Sequence, residues 1–132
     1  LEDKGIPFDQ QQAQQIRLFR SEWVKADNSG VPRVSVSRSV LPIIDETSAR
    51  YFGRRAAEDS QDYTGIIDNS FSRFGRSYIG DPADIAEELA RDEAVQAADT
   101  VLLTIPNQLG VDFNLKMLEA IVKEVKPALT TK

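Results

Sequence analysis

The chain has 132 residues, 41% of them hydrophobic and 28% charged, a composition typical of folded globular proteins rather than disordered or collagen-like ones. Its formal charge of −5 argues against nucleic acid and anionic membrane surfaces as partners, because both attract basic patches. Cysteine and histidine are absent, which excludes a disulfide framework, the usual Cys/His zinc site, a cysteine nucleophile and a Ser-His-Asp triad.

No segment reaches the ~18 uncharged apolar residues that a membrane-spanning helix needs, and the first residues do not form a signal peptide. We therefore expect a cytoplasmic protein without a membrane contact, and we assign no metal ligands. The chain begins with Leu1 and its single methionine is Met117, so we expect it to be a piece of a longer protein.

Residues 8–28 predict an amphipathic helix that Asp9 could cap, with an apolar stripe formed by Ile16, Phe19, Trp23 and Ala26. Residues 33–40 alternate in hydropathy and predict a strand, with the valines and Arg38 on one face and serines on the other. A face of small hydroxyl residues suits a strand that looks into a polar cavity. The alternative is an edge strand with its serine face in water.

The middle of the chain predicts two further helices. Asp45 opens a helix over residues 45–55, and the polar residues 58–69 form either a short helix or an ordered loop. Asp81 and Pro82 begin another helix, which extends to about Arg91 or as far as Ala98.

Residues 100–105 form a nearly continuous apolar run, which predicts a strand buried on both faces of a parallel sheet. After a loop over residues 106–110, residues 111–125 predict a helix that Pro127 stops. The apolar stripe of this helix is formed by Val111, Leu115, Leu118, Val122 and Val125.

The alternation of helices and strands predicts an α/β fold with about two parallel strands and flanking helices. Two parallel strands cannot cover their own faces or close a sheet, so further strands are expected beside them.

Three segments carry a resemblance to a known family: residues 32–39 (PRVSVSRS), 74–82 (FGRSYIGDP) and 98–111 (ADTVLLTIPNQLGV). In this order and spacing they resemble the C-terminal part of the luciferase-like flavin-dependent monooxygenases. The resemblance implies that residues 1–132 are the C-terminal fragment of one (β/α)8 TIM-barrel domain, whose full-length parent is an oxidoreductase or monooxygenase. The fragment alone is expected to be inactive, because it lacks most of the barrel mouth.

The resemblance also implies a cofactor, either FMN or the deazaflavin F420, and a small-molecule substrate. Reduced FMN would react with oxygen to oxidise the substrate, whereas F420 would exchange a hydride with it; in both cases the cofactor carries the redox chemistry. The catalytic residues are unknown, because they would lie on strands upstream of this chain.

Active sites of such barrels lie at the carboxyl ends of the strands, which makes five residues candidate cofactor ligands: Arg38, Ser39, Arg76, Asn107 and Gln108. Arg38 either offers a bidentate fork to a phosphate or an acidic substrate, or forms a structural ion pair. Arg76 precedes the helix at Pro82, whose amino end either helps to hold an anion or is an ordinary capped terminus. Asn107 and Gln108 either hydrogen-bond the cofactor or substrate, or stabilise their loop.

The alternative function is a non-catalytic α/β interaction module. Buried-type strands without neighbours favour self-association through their edges, so we expect a homo-oligomer whichever function holds.

Overall fold

The computed structural model describes residues 4–54, 62–67, 70–106 and 109–129. Its helices are α1 (Phe8–Lys25), α2 (Glu46–Phe52), α3 (Pro82–Arg91), α4 (Glu93–Ala97), α5 (Val111–Ala120) and α6 (Lys126–Leu129), with a π-helical turn (Ile121–Val125) between the last two. Its strands are β1 (Ser35–Pro42), β2 (Tyr63–Ile67), β3 (Ser70–Phe74), β4 (Tyr78–Gly80) and β5 (Thr100–Thr104). Within these ranges, no helix combines the length and hydropathy that a bilayer crossing demands.

Three parallel strands form one open sheet in the order β4-β1-β5. The first five residues of β1 pair with β5, where Ser35 lies opposite Thr100. The last three pair with β4, where Val40 lies opposite Tyr78. The predicted α/β class with a parallel sheet and flanking helices is confirmed, with three parallel strands instead of two. The missed strand, β4, is only three residues long, too short to show alternation.

β2 and β3 form a separate antiparallel hairpin. The prediction of a short helix or ordered loop over residues 58–69 is wrong for residues 63–67, which form β2; residues 58–61 and 68–69 lie outside the described residues. The prediction of a helix after Asp45 is confirmed over a shorter range. The Asp45 carboxylate accepts the Ser48 N–H at 2.8 Å and so caps α2.

Helices cover one face of the sheet, toward which the alternation of β1 directs Val36, Arg38 and Val40. One apolar cluster lies between this face, α3 and the π-helical turn, and a second joins α1 and α4 to the amino half of β1. The buried members of these two clusters include Ala13, Ile16, Val36, Val40, Tyr78, Ile85, Leu89, Ala94 and Val125.

The opposite face is packed at its carboxyl end, where Leu41 meets Phe52 of α2 and Met117 of α5. Toward the amino end Ser35 and Ser37 are exposed, and Ser39 is half-buried. The serine face is therefore largely open. β1 is nevertheless the central strand of the sheet, not the edge strand that an exposed serine face suggested.

β5 differs from its prediction. Its apolar run predicts a strand that is covered on both faces, but Leu102 is 57% exposed. The further strands expected beside it are not among the described residues, where β5 pairs with β1 alone. Thr100 and Thr104 lie on the same open face as Leu102, whereas Val101 and Leu103 pack toward the helices. The prediction failed because a run of apolar residues does not reveal which of its two faces is covered.

α1 and α5 keep their predicted starts, but each buries only part of its predicted stripe. α1 ends at Lys25; of its stripe Ile16 is buried, next to Ala13, while Phe19 is exposed. Asp9 does not cap α1; its carboxylate accepts the N–H of Glu93 at 3.2 Å.

The predicted stripe of α5 is wrong except at Val125. Four of its members are exposed, and the buried residues are Phe113, Met117, Ala120, Ile121 and Val125. Pro127 does not stop the helix but lies in α6. Ahead of it the Lys126 N–H bonds to the Ile121 carbonyl, five residues back, so the hydrogen-bond pattern has already shifted before the proline.

Candidate functional site

Arg38 is the one charged side chain that β1 directs into the helix-covered side of the sheet, and it is 4% exposed. A guanidinium in such a place needs a carboxylate partner, since an unpaired buried charge is costly. Asp92 supplies it through two bonds: Nε donates to Oδ2 at 2.6 Å and Nη2 donates to Oδ1 at 3.0 Å. A third donor, Nη1, reaches the Ser37 carbonyl at 2.8 Å. The ion pair is therefore bidentate and tied to the backbone of its own strand.

Asp92 occupies the break between α3 and α4, where its side chain caps α4 by accepting the Val95 N–H at 2.9 Å. The Tyr78 hydroxyl from β4 donates to the same carboxylate at 2.6 Å. The carboxylate thus accepts four hydrogen bonds, two of them from Arg38. This buried Arg38–Asp92–Tyr78 network joins β1, β4 and the α3–α4 junction.

The protonation states of the three side chains in the network do not change near neutral pH. Burial alone would raise the pKa of Asp92, but the hydrogen bonds from Arg38 and Tyr78 outweigh it and hold that pKa below 3.8. Burial, followed by the bond to Asp92, raises the pKa of Tyr78 above 10.0. For Arg38, burial lowers the pKa, but the bond to Asp92 more than compensates and keeps the pKa of the guanidinium above its ordinary value. None of the three groups exchanges a proton near neutral pH, so the network orients and supports rather than performs acid–base chemistry.

A cleft of about 470 Å³ lies beside the network and is lined by Arg38, Tyr78 and Asp92 together with Phe8 and Arg76. The Arg76 guanidinium stacks over the Tyr78 ring at 4.7 Å and pairs with Glu88 at 3.2 Å. The Phe8 ring lies 5.8 Å from the guanidinium carbon of Arg38. Aromatic rings and guanidinium groups therefore alternate along this wall.

Asp62 closes the cleft by joining two segments that are far apart in the chain. Its carboxylate accepts the Phe8 N–H at 2.7 Å and the Arg76 N–H at 3.2 Å. Between them, a Cβ placed on Gly75 would lie 2.9 Å from the Phe8 ring, so a glycine lets the backbone approach the aromatic wall. These contacts fix the amino end of α1 over the cleft.

The structure separates the predicted cofactor ligands into two groups. Arg38 and Arg76 line the same cleft on the helix-covered side. Ser39 follows Arg38 along the strand and therefore lies on the opposite face, across from Thr104 of β5. Asn107 and Gln108 lie outside the described residues.

The expectation that Arg38 stands at the carboxyl end of its strand is wrong. β1 continues to Pro42, so Arg38 and Ser39, both expected at that end, lie in mid-strand. The structural ion pair, the alternative named for Arg38, is what the structure shows, and cofactor binding by this residue stays a prediction. Likewise the helix at Pro82 has an ordinary cap, since Asp81 accepts the Ala83 N–H at 2.9 Å.

Sequence reasoning missed Asp92 altogether. It stands in the charged run Arg91–Asp92–Glu93, where nothing distinguishes it from a solvated helix residue. The available signal was its ability to end one helix and cap the next. Among the described residues no group of three or more acidic side chains could hold a metal ion.

Comparisons with known proteins found no relative of this chain. No family model matches the chain, and neither the curated proteins nor the solved structures contain a significant match.

Proposed function

We propose that this chain forms the closing part of a luciferase-like (β/α)8 barrel whose parent is an FMN- or F420-dependent oxidoreductase. One observation carries the proposal: the parallel β1–β5 pair has helices against one face, while its other face is lined by hydroxyl groups and largely open. Ser35 and Ser37 of β1 are exposed there, beside Thr100 and Thr104 of β5.

Such one-sided coverage is typical of a barrel wall. In a (β/α)8 barrel the helices lie outside and the inner face of the strands is covered by the other strands of the barrel. In a doubly wound sheet helices cover both faces, as α2 and α5 do here at the carboxyl end of β1, where they pack against Leu41. The barrel proposal therefore rests on the β1–β5 pair, whose hydroxyl-lined face is largely open. The exposed apolar side chains of Leu115 in α5 and Val122 in the π-helical turn agree with a chain that has further protein to pack against.

The cofactor would supply the redox chemistry, and the chain's part would be to bind and orient it. Thr104 ends β5, and Ser39 lies across from it in the middle of β1, on the proposed inner face, where a hydroxyl can donate to a polar ring edge. Arg38 and Arg76 lie on the other side of the sheet. Under this proposal Ser39 contacts the cofactor, and Arg38 holds the strand in place through Asp92.

The test uses the longest natural polypeptide that contains this chain, titrated anaerobically with reduced FMN and separately with F420. We expect one of them to bind with a Kd below about 1 mM. Ser39→Leu should weaken binding about tenfold, the equivalent of one well-placed hydrogen bond. Ser35→Leu is the matched control, since the same substitution on the same face lies four residues away, at the amino end of the strand.

Failure of both cofactors to bind below the millimolar range would overturn the proposal. An equal effect of Ser39→Leu and Ser35→Leu would overturn the placement of the cofactor beside Ser39 and Thr104.

The outer edge of β5 favours a second candidate function, a non-catalytic module that self-associates through strand edges. Among the described residues no strand pairs with that edge, although β5 is uncharged and apolar. Association of the chain, together with a longest natural polypeptide that binds neither FMN nor F420, would favour this function over the oxidoreductase.

A further inference from the structure

The exposed edge of β5 carries an inference that does not rest on cofactor binding. Natural proteins protect edge strands with lysine, proline or a bulge. β5 has the sequence Thr-Val-Leu-Leu-Thr, which contains no charge and no proline, and it pairs regularly with β1 over all five residues. Its outer edge thus has none of the usual features that prevent pairing with another strand.

The backbone of β5 shows which groups face outward. Thr100 donates its N–H to the Val34 carbonyl on the β1 side at 3.2 Å. Because successive residues of a strand point their backbone groups to opposite edges, Leu102 and Thr104 also face β1. Val101 and Leu103 therefore present their N–H and carbonyl groups at the outer edge.

We propose that β5 pairs antiparallel with β5 of a second copy of this chain, about a two-fold axis at Leu102. The strand is self-complementary about that residue: Thr100 meets the partner's Thr104, and Val101 meets the partner's Leu103. Val101 of each copy forms a hydrogen-bonded pair with the partner's Leu103. In these two pairs every outward N–H and carbonyl group of Val101 and Leu103 has a hydrogen-bond partner. The result is a continuous six-stranded sheet with an isologous interface.

The side chains favour a second copy over a different partner. Leu102 is 57% exposed on the open face, and the axis places it directly against the partner's Leu102, in a non-hydrogen-bonded pair where side chains approach most closely. The strand carries no charge, so two identical edges meet without repulsion. A strand from another segment of a longer parent would occupy the same edge, so the test uses this 132-residue chain.

The oligomeric state gives the first test. Light scattering across a dilution series should give twice the 14.7 kDa of one chain at high concentration. Leu102→Lys should return the chain to a monomer, because it places two like charges at the axis. Leu18→Lys is the matched control: Leu18 is 61% exposed on α1, and its substitution should leave the dimer intact. Circular dichroism confirms that both variants fold.

The register gives the second test. The chain lacks cysteine, so Leu102→Cys introduces a single thiol that can oxidise only with its counterpart. At a non-hydrogen-bonded pair the two Cα atoms lie about 4.5 Å apart, within the range for a disulfide. We expect Leu102→Cys to cross-link at least about tenfold faster than Leu18→Cys, because pairing raises the effective thiol concentration.

Three results would overturn the proposal. The first is a chain that stays monomeric at every concentration. The second is cross-linking of Leu102→Cys and Leu18→Cys at equal rates. The third is faster cross-linking of Leu115→Cys, at an exposed position of α5, than of Leu102→Cys. The last result would place the interface on α5. Cofactor binding by a longer parent is measured independently, so each proposal can fail without the other.

Discussion

At the scale of single residues, Asp92 determines whether Arg38 can be buried. Asp92 accepts four hydrogen bonds and is held by residues 54 and 14 positions away in the chain. Such a network is costly to break from one side, because removal of one partner leaves the other charged and unpaired. Its worth lies in fixing how β1, β4 and the α3–α4 junction meet, since an apolar cluster would be less specific about this geometry.

We predict that Asp92→Asn lowers the free energy of unfolding by about 3–5 kcal/mol, as expected when a buried arginine loses its carboxylate. Asparagine is itself a good helix cap, so the loss reports the charge and not the cap of α4. Tyr78→Phe removes one hydrogen bond to the carboxylate and should cost less, about 1.5–3 kcal/mol. Urea unfolding of the three proteins measures both differences. Equal stability of wild type and Asp92→Asn would contradict the buried ion pair.

At the scale of elements, α5 shows how two apolar stripes on one helix compete for the core. Leu115 and Leu118 follow helical spacing as well as Phe113 and Met117 do, and the sequence alone cannot choose between these faces. The structure buries the second pair against Leu41 and leaves the first exposed. The choice depends on the direction in which α5 crosses the sheet, which is a tertiary property.

We predict that Met117→Ala costs about 2–5 kcal/mol of stability, since Met117 is fully buried in its cluster. Leu118→Ala removes the same number of non-hydrogen atoms from a neighbouring position that is 46% exposed, and should change stability by no more than about 0.5 kcal/mol. Thermal or chemical unfolding of the pair decides which face is buried. A larger loss for Leu118→Ala would mean that the helix presents the other stripe to the core.

The sequence predicts those features that follow from the local spacing of apolar residues. It does not predict those that depend on a contact with a residue far away in the chain. Period-two alternation correctly placed Arg38 on the same face as Val36 and Val40. It could not show that β1 continues to Pro42, or that the carboxylate for Arg38 comes from Asp92, 54 residues away. The sequence therefore predicted that Arg38 could form an ion pair, but it did not identify Asp92 as the partner.

At the scale of the whole molecule, three small apolar clusters and one buried charged network hold an open sheet together within the described residues. In the same part of the chain two further aspartates have lowered pKa values: Asp45, through hydrogen bonds from Ser48, and Asp99, through the Val34 N–H. Both are solvent-exposed, so water and salt screen their contribution. Asp92 is the buried member of the three, and the acid stability of the entire fold should depend on it most.

We predict that acid narrows the stability difference between wild type and Asp92→Asn. The folded pKa of Asp92 lies below its unfolded value of 3.8, so its ionised form stabilises the native state above pH 3.8. Below that pH the unfolded chain binds the proton first, and the advantage of wild type is lost as the pH falls through the folded pKa, by up to about 1.4 kcal/mol per pH unit. Asp45 and Asp99 are present in both proteins, so their titration cancels in the difference. Urea unfolding from pH 7 to pH 2 measures the difference in free energy of unfolding between the two proteins. This difference should be constant near pH 7 and should shrink as the pH approaches 2. A gap that is independent of pH would mean that Asp92 is not held ionised by Arg38 and Tyr78.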